Sequence, residues 1–155
     1  MRKLLIFFLL LAVFATAMLQ TSCAPGSCFE ETNAYVKATF YLNSTSKAVA
    51  PDSVTLYGVG KERMLIYDKK TVLTQAYIPL DASTDECSLV IRINGVNDTI
   101  SFVYTTSSHL ISKECGYTFH HTIEAPVFTM HIIDTVTVIR NTITTLSEEN
   151  IRIYY

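Results

Sequence analysis

The chain has 155 residues, 49% of them hydrophobic and 17% charged, and a formal net charge of −2. That length suits a single domain with a full hydrophobic core. No basic stripe, run of like charge, internal repeat or low-complexity tract runs through it, so nucleic acid is excluded as an expected partner and no second domain is indicated.

Met1 to Cys23 reads as an export signal. Arg2 and Lys3 give a basic start, Leu4 to Met18 is apolar apart from Thr16, and Leu19-Gln-Thr-Ser-Cys23 closes the segment. A membrane-spanning helix needs roughly 20 consecutive apolar residues, so this shorter run reads as a removable signal over residues 1–22. Two processing routes compete. Ser22 and the position of Cys23 directly after the apolar run, ahead of Ala-Pro-Gly-Ser, favour lipid attachment at Cys23. Gln20 stands where a lipoprotein signal carries an aliphatic or small residue, and Ala15-Thr-Ala17 fits ordinary secretory cleavage, which would release a soluble protein. With lipid on Cys23, residues 23–28 form an anchor and short linker, and 29–155 form the domain. Loss of Arg2 and Lys3 leaves ten basic residues against fourteen acidic ones, a net charge of −4.

Along the domain the pattern alternates with period two, and β-branched and aromatic residues dominate it. Ala34 to Leu42 places Ala34, Val36, Ala38, Phe40 and Leu42 on one face. Ser53 to Val59 and Met64 to Tyr67 follow, separated by a turn at Gly60, and Gln75 to Ile78 ends at Pro79. Cys87 to Asn94 and Thr99 to Thr105 form the clearest pair, with Asn94-Gly95 opening the turn between them. Tyr117 to Ile123, Thr135 to Ile139 and Ile151 to Tyr155 complete the set. Eight or nine short strands without a helical period predict an all-β fold, a single antiparallel β-sandwich of immunoglobulin-like type, with a closed barrel as the alternative.

Cys23, Cys28, Cys87 and Cys115 give a second view of the export segment. Four thiols in an oxidising compartment could form two bridges, whereas an acylated Cys23 leaves three and one unpaired. Cys87 shares a strand face with Leu89, Ile91 and Ile93, which favours a buried thiol there. Cys28 and Cys115 both stand at loop positions. Three pairings exist among the three, and sequence does not choose between them.

The chain resembles a family of uncharacterised Bacteroidetes cell-envelope lipoproteins, described only as a domain of unknown function. The resemblance rests on Cys28 ahead of the first strand, Pro51-Asp-Ser-Val-Thr-Leu-Tyr57, Ile78-Pro-Leu80, His109-Leu-Ile-Ser-Lys-Glu-Cys-Gly-Tyr117 and Asn150-Ile-Arg-Ile153. It implies a lipid-anchored β-rich domain and supports a bridge between Cys28 and Cys115. It implies no activity. The Ala-Pro-Gly-Ser after Cys23 lacks the acidic run associated with surface export in such bacteria, which favours a periplasm-facing anchor over cell-surface display.

Constellations that could carry chemistry are sparse. His109, His120, His121 and His131, with Cys115, Glu114 or Glu124, invite a metal reading, but zinc needs three or four converging donors. The adjacent His120 and His121 point to opposite faces of a strand. No Gly-x-Ser-x-Gly elbow is present, and the loops Asp81 to Glu86 and Asn97-Asp98 match no calcium loop. Neither a cofactor nor an enzyme is expected. Trp is absent, so glycan stacking would fall to tyrosines such as Tyr35, Tyr41 and Tyr154, which cross-strand pairing explains equally well. Asp52-Ser53-Val54, Asp98-Thr99-Ile100 and Asp134-Thr135-Val136 resemble the acceptor sequence of periplasmic O-glycosylation, placing the modification at Ser53, Thr99 or Thr135, although turn and strand preferences alone generate the triplet. The sequence therefore predicts an envelope lipoprotein, membrane-bound through its N-terminal lipid, with a non-catalytic binding or structural role and a protein or glycan partner.

Overall fold

The computed structural model describes Cys28 and residues 31–155; the signal and Cys23 lie outside the described residues. Twelve strands form among them: β1 (Tyr35–Leu42), β2 (Lys47–Ala48), β3 (Val54–Gly58), β4 (Leu65–Lys70), β5 (Gln75–Pro79), β6 (Glu86–Ile93), β7 (Val96–Ser112), β8 (Gly116–Ile123), β9 (Val127–Phe128), β10 (Thr135–Val138), β11 (Thr142–Ile143) and β12 (Ile151–Tyr154). No helix occurs among the described residues.

The strands make a β-sandwich, as the alternation predicts. One sheet runs β10-β12-β1-β2, with β5 also on β1; the other runs β11-β8-β7-β6-β3-β4, with β9 also on β7. Val36, Ala38 and Phe40 of β1, Ala76 and Ile78 of β5, and Ile151 and Ile153 of β12 point into one buried cluster. Val54 and Leu56 of β3, Leu89, Ile91 and Ile93 of β6, and Ile100, Phe102 and Tyr104 of β7 meet them there. Each large aliphatic or aromatic side chain so buried contributes about 1.5 to 3 kcal/mol of transfer free energy. The β6–β7 hairpin turns at Asn94 and Gly95 with φ of 50° and 88°, the pair of positive values that a two-residue hairpin turn requires.

Two features depart from the sequence expectation. The sandwich is not wholly antiparallel: β12 runs parallel to β1, from Ala38 opposite Ile151 to Tyr41 opposite Tyr154. The chain reaches β12 from β11 in the opposite sheet, so no hairpin imposes an antiparallel direction. The strand expected over Thr99 to Thr105 is the seventeen-residue β7, which pairs with β6 through Val103 and with β8 from Tyr104 onward. Thr105-Thr-Ser-Ser-His109 lacks apolar alternation because most of that stretch has left the core and rests only on β8.

Two of the crossings between the sheets are held by a buried polar side chain. Between β9 and β10 the chain leaves the seven-stranded sheet for the five-stranded one, and its amides there have no ladder partner. Asp98 supplies the acceptors. Its Oδ2 accepts from the amides of Ile132 (2.8 Å) and Ile133 (2.9 Å), and its Oδ1 from the His131 amide (3.0 Å) and the Thr129 hydroxyl (2.6 Å). His131 Nδ1 lies 2.8 Å from the same Oδ1. Burial alone would raise the pKa of this carboxyl, but the hydrogen bonds from Thr129, Ile132, Ile133 and His131 outweigh it and hold the group far below the usual carboxylate range. Asn150 does the corresponding work where the chain returns from β11 to β12. Its Oδ1 accepts from the Lys37 amide (2.9 Å), and its Nδ2 donates to the carbonyls of Arg140 (3.3 Å) and Thr142 (3.2 Å).

Replacement Asp98→Ala strands several buried donors at once, and it is expected to lower unfolding free energy by roughly 3 kcal/mol or more in urea titration. His131→Ala, which leaves the backbone donors satisfied, should cost much less. Because the folded carboxyl titrates below its unfolded value, the Asp98 contribution is complete above about pH 4 and is lost as pH falls through the folded pKa. The wild-type protein should therefore show an acid unfolding limb that Asp98→Asn weakens.

Candidate functional site

The β7–β8 hairpin carries three of the four histidines, Glu114 and the bridged Cys115. Past Val103, β7 has no pairing with β6, so this end projects from the sandwich as a two-stranded ribbon. Its turn is built locally: Ser112 Oγ accepts from the amides of Glu114 (3.2 Å) and Cys115 (3.0 Å), and Gly116 takes a φ of 74° that favours glycine. Cys115 is bonded to Cys28, with the two Cα atoms 4.9 Å apart and 87 residues of separation. The segment after Cys28 is also tied to the ribbon by the Thr118 hydroxyl, which donates to the Thr32 carbonyl at 2.6 Å.

The two adjacent histidines of β8 take opposite faces. His121 is buried, with Nδ1 2.9 Å from the Thr106 hydroxyl and its ring edge-on to Tyr104 at 5.3 Å. His120 stacks on His109 across the strand pair, centroids 4.4 Å apart at 19°, and its Nε2 is buried without a hydrogen-bond partner. Burial, reinforced by the neighbouring imidazole, lowers the pKa of both: His109 acts on His120, and His120 on His121. Opposite the stacked pair, Leu110, Tyr117 and Phe119 share the ribbon's other face and are exposed.

The remaining residues fall elsewhere. Cys87 is a half-buried free thiol packed against the core, and burial pushes its pKa up. Ser53 and Thr99 are half-buried, whereas Thr135 is exposed at the start of β10. Glu114 and Glu124 are exposed, and among the described residues no group of three or more His, Cys, Asp or Glu is placed to hold a metal ion. Asp81 accepts from the amide (2.9 Å) and hydroxyl (2.6 Å) of Ser83, closing its own turn. Asn97 accepts from Arg92 Nε at 2.6 Å, while Asp98 turns inward. Tyr35 meets Tyr77 edge-on at 88°, Tyr41 meets Tyr154 at 35°, and Arg152 covers the Tyr41 ring at 5.0 Å, so these rings pair across strands and are not coplanar.

One contact was not foreseen in the sequence. His131 has an orienting carboxylate in Asp98, 33 residues away, so a search of flanking residues misses it. The signal was in the alternation: Asp98 stands two residues before Ile100, in register with Phe102 and Tyr104, on a face that should be apolar. An Asp–His contact is half of an acyl-transfer triad. Here its carboxylate is saturated by backbone donors, and among the described residues no hydroxyl or thiol hydrogen-bonds to the other ring nitrogen of His131.

In the chain-entropy model a bridge closing a loop of this length stabilises the fold by about 4 to 5 kcal/mol. Paired Cys28→Ser and Cys115→Ser replacement should move the denaturant midpoint down accordingly, with the slope of the transition rising as the unfolded chain expands. The histidines add a milder pH dependence. With folded pKa values below the unfolded value near 6.5, their contribution is complete above that pH and is lost as pH falls through the folded values. Melting temperature should drop between pH 7 and pH 5, and His120→Gln should flatten that drop.

No curated protein and no solved structure is significantly similar to this chain. Residues 53–155 match the model of DUF6452, described as a family of unknown function, and since the match spans well over half of the sequence, the protein belongs to that family.

Proposed function

We propose that this protein is a lipoprotein of the cell envelope, held to a membrane by an acylated Cys23, facing the periplasm, and serving a non-catalytic binding or structural role. The observation that carries the reading is the pairing of cysteines. Cys28 is bonded to Cys115, and the one other cysteine of the domain, Cys87, is a half-buried thiol packed against the core, a poor partner for a second bridge to Cys23. A structural disulfide also fits an oxidising compartment, in keeping with the apolar run after Arg2 and Lys3. The non-catalytic role is supported by Asp98, whose carboxylate is engaged in holding a crossing between sheets. One open cleft of about 580 Å³ carries Asp85 and Glu124 but no histidine, cysteine or lysine. The paired tyrosines favour a protein neighbour over a glycan. Of the three Asp-hydroxyl-aliphatic triplets, Asp134-Thr135-Val136 is the best placed for O-glycosylation, because Asp134 and Thr135 are both exposed whereas Asp98 is enclosed.

Mass spectrometry of the N-terminal peptide from native protein tests the anchor. The expected species begins at Cys23 and carries a diacylglyceryl group; a peptide beginning at Met18 with a free thiol at Cys23 overturns the reading. An intact mass above that of polypeptide plus lipid, reduced by Thr135→Val, is expected for the glycosylated form. A mass explained by polypeptide and lipid alone removes that part of the proposal.

A further inference from the structure

The disulfide sets a limit on how the domain can sit relative to its anchor. Four residues separate Cys23 from Cys28, so the five steps between them reach at most roughly 18 Å even when fully extended. Cys28 is bonded to Cys115 in the β7–β8 turn, Cα to Cα 4.9 Å. A lipid on Cys23 therefore holds this turn close to the headgroups, and the ribbon end is the part of the domain brought to the bilayer. Three apolar side chains stand there together. Leu110 and Tyr117 are cross-strand partners, Phe119 follows on the same face, and they are 50%, 70% and 48% exposed. Past Val103 β7 has no partner in β6 and rests on β8, and only Phe119 of the three borders a cleft with Ala34 and Leu80 at the margin of the core. Lys113 and Glu114 in the turn carry opposite charges, so the patch offers apolar area and a phenol and no net charge.

Resting on the lipid-anchor reading, we propose that the β7–β8 hairpin end is a membrane-docking surface, with Leu110, Tyr117 and Phe119 set into the interfacial layer of the bilayer that holds the acylated Cys23. Tyrosine suits that layer because its ring is apolar and its hydroxyl stays wet, and leucine and phenylalanine add buried area. Such docking would give the domain a fixed orientation, with the opposite end of the sandwich turned away from the membrane. Since the attraction is apolar, it should be insensitive to salt.

The chain has no tryptophan, so one introduced indole reports its own surroundings. Acylated full-length protein carrying Tyr117→Trp, or Tyr77→Trp as the control on β5, is reconstituted into phosphatidylcholine vesicles with or without brominated acyl chains. The expected result is blue-shifted emission from the indole at position 117, most of it lost to the brominated lipid and unchanged in high salt, with little quenching of the indole at position 77. Adding Leu110→Ser and Phe119→Ser to Tyr117→Trp should reduce the quenching severalfold while the protein still sediments with vesicles. Equal quenching at both positions, or none at 117 in sedimenting protein, overturns the docking surface and leaves the anchor standing. An indole at 117 already shielded from iodide in detergent, whether by a second copy or by the preceding segment, also overturns it. Protein that fails to sediment with vesicles overturns the anchor itself.

Discussion

An inter-sheet crossing leaves the chain with backbone donors and no ladder, and the fold depends on how that deficit is met. Where the chain passes from β9 to β10 one carboxylate meets it. Asp98 takes three successive amides and a hydroxyl, and a buried charge is tolerable because so many dipoles converge on it. Asn150 meets the second deficit with a neutral amide, which both accepts and donates and so can join β1 to the Arg140–Thr142 segment. The apolar cluster between the sheets supplies attraction without direction. These two side chains fix the course of the chain at the β9–β10 and β11–β12 connections.

The disulfide belongs to a different part of the structure and a different physical economy. Asp98 and Asn150 act within the folded state, while the bond between Cys28 and Cys115 acts largely by restricting the unfolded chain. It also joins the segment ahead of β1 to a ribbon that has no β6 partner past Val103. Thr118 and Thr32 repeat that link by a hydrogen bond. His120, stacked on His109 and held toward its neutral form by burial, stiffens the same ribbon, and its protonation in acid loosens it.

Much of the sandwich was legible because its strands face one core with one period. Asn94-Gly95 between two alternating aliphatic runs specified the β6–β7 hairpin, and Val36, Ala38 and Phe40 specified β1. Two-residue strands such as β2, β9 and β11 carry no period at all. The polar half of β7 carries no apolar one, because its neighbour is β8 and solvent. Asp98 was readable as part of a turn triplet but not as a clamp: its partners at 129–133 lie some thirty residues on, and hydrophobic periodicity does not report which polar group a backbone amide will find. Cys115 was recognised as a turn cysteine, yet only the folding of β7 onto β8 shows why its neighbour is Cys28.

The parallel pairing of β1 with β12 has a consequence for biosynthesis. Ala38 lies opposite Ile151, 113 positions later, and β1 is the strand on which its whole sheet is assembled, with β5 and β2 along its other edge. Until Ile151 to Tyr154 are made, that strand has an open side, and the sheet can be completed only after nearly all of the polypeptide has emerged. Contacts of such long range form slowly. A nascent chain of this design stays unlocked while it is being synthesised, and its first sheet closes only when the partner of β1 has been made.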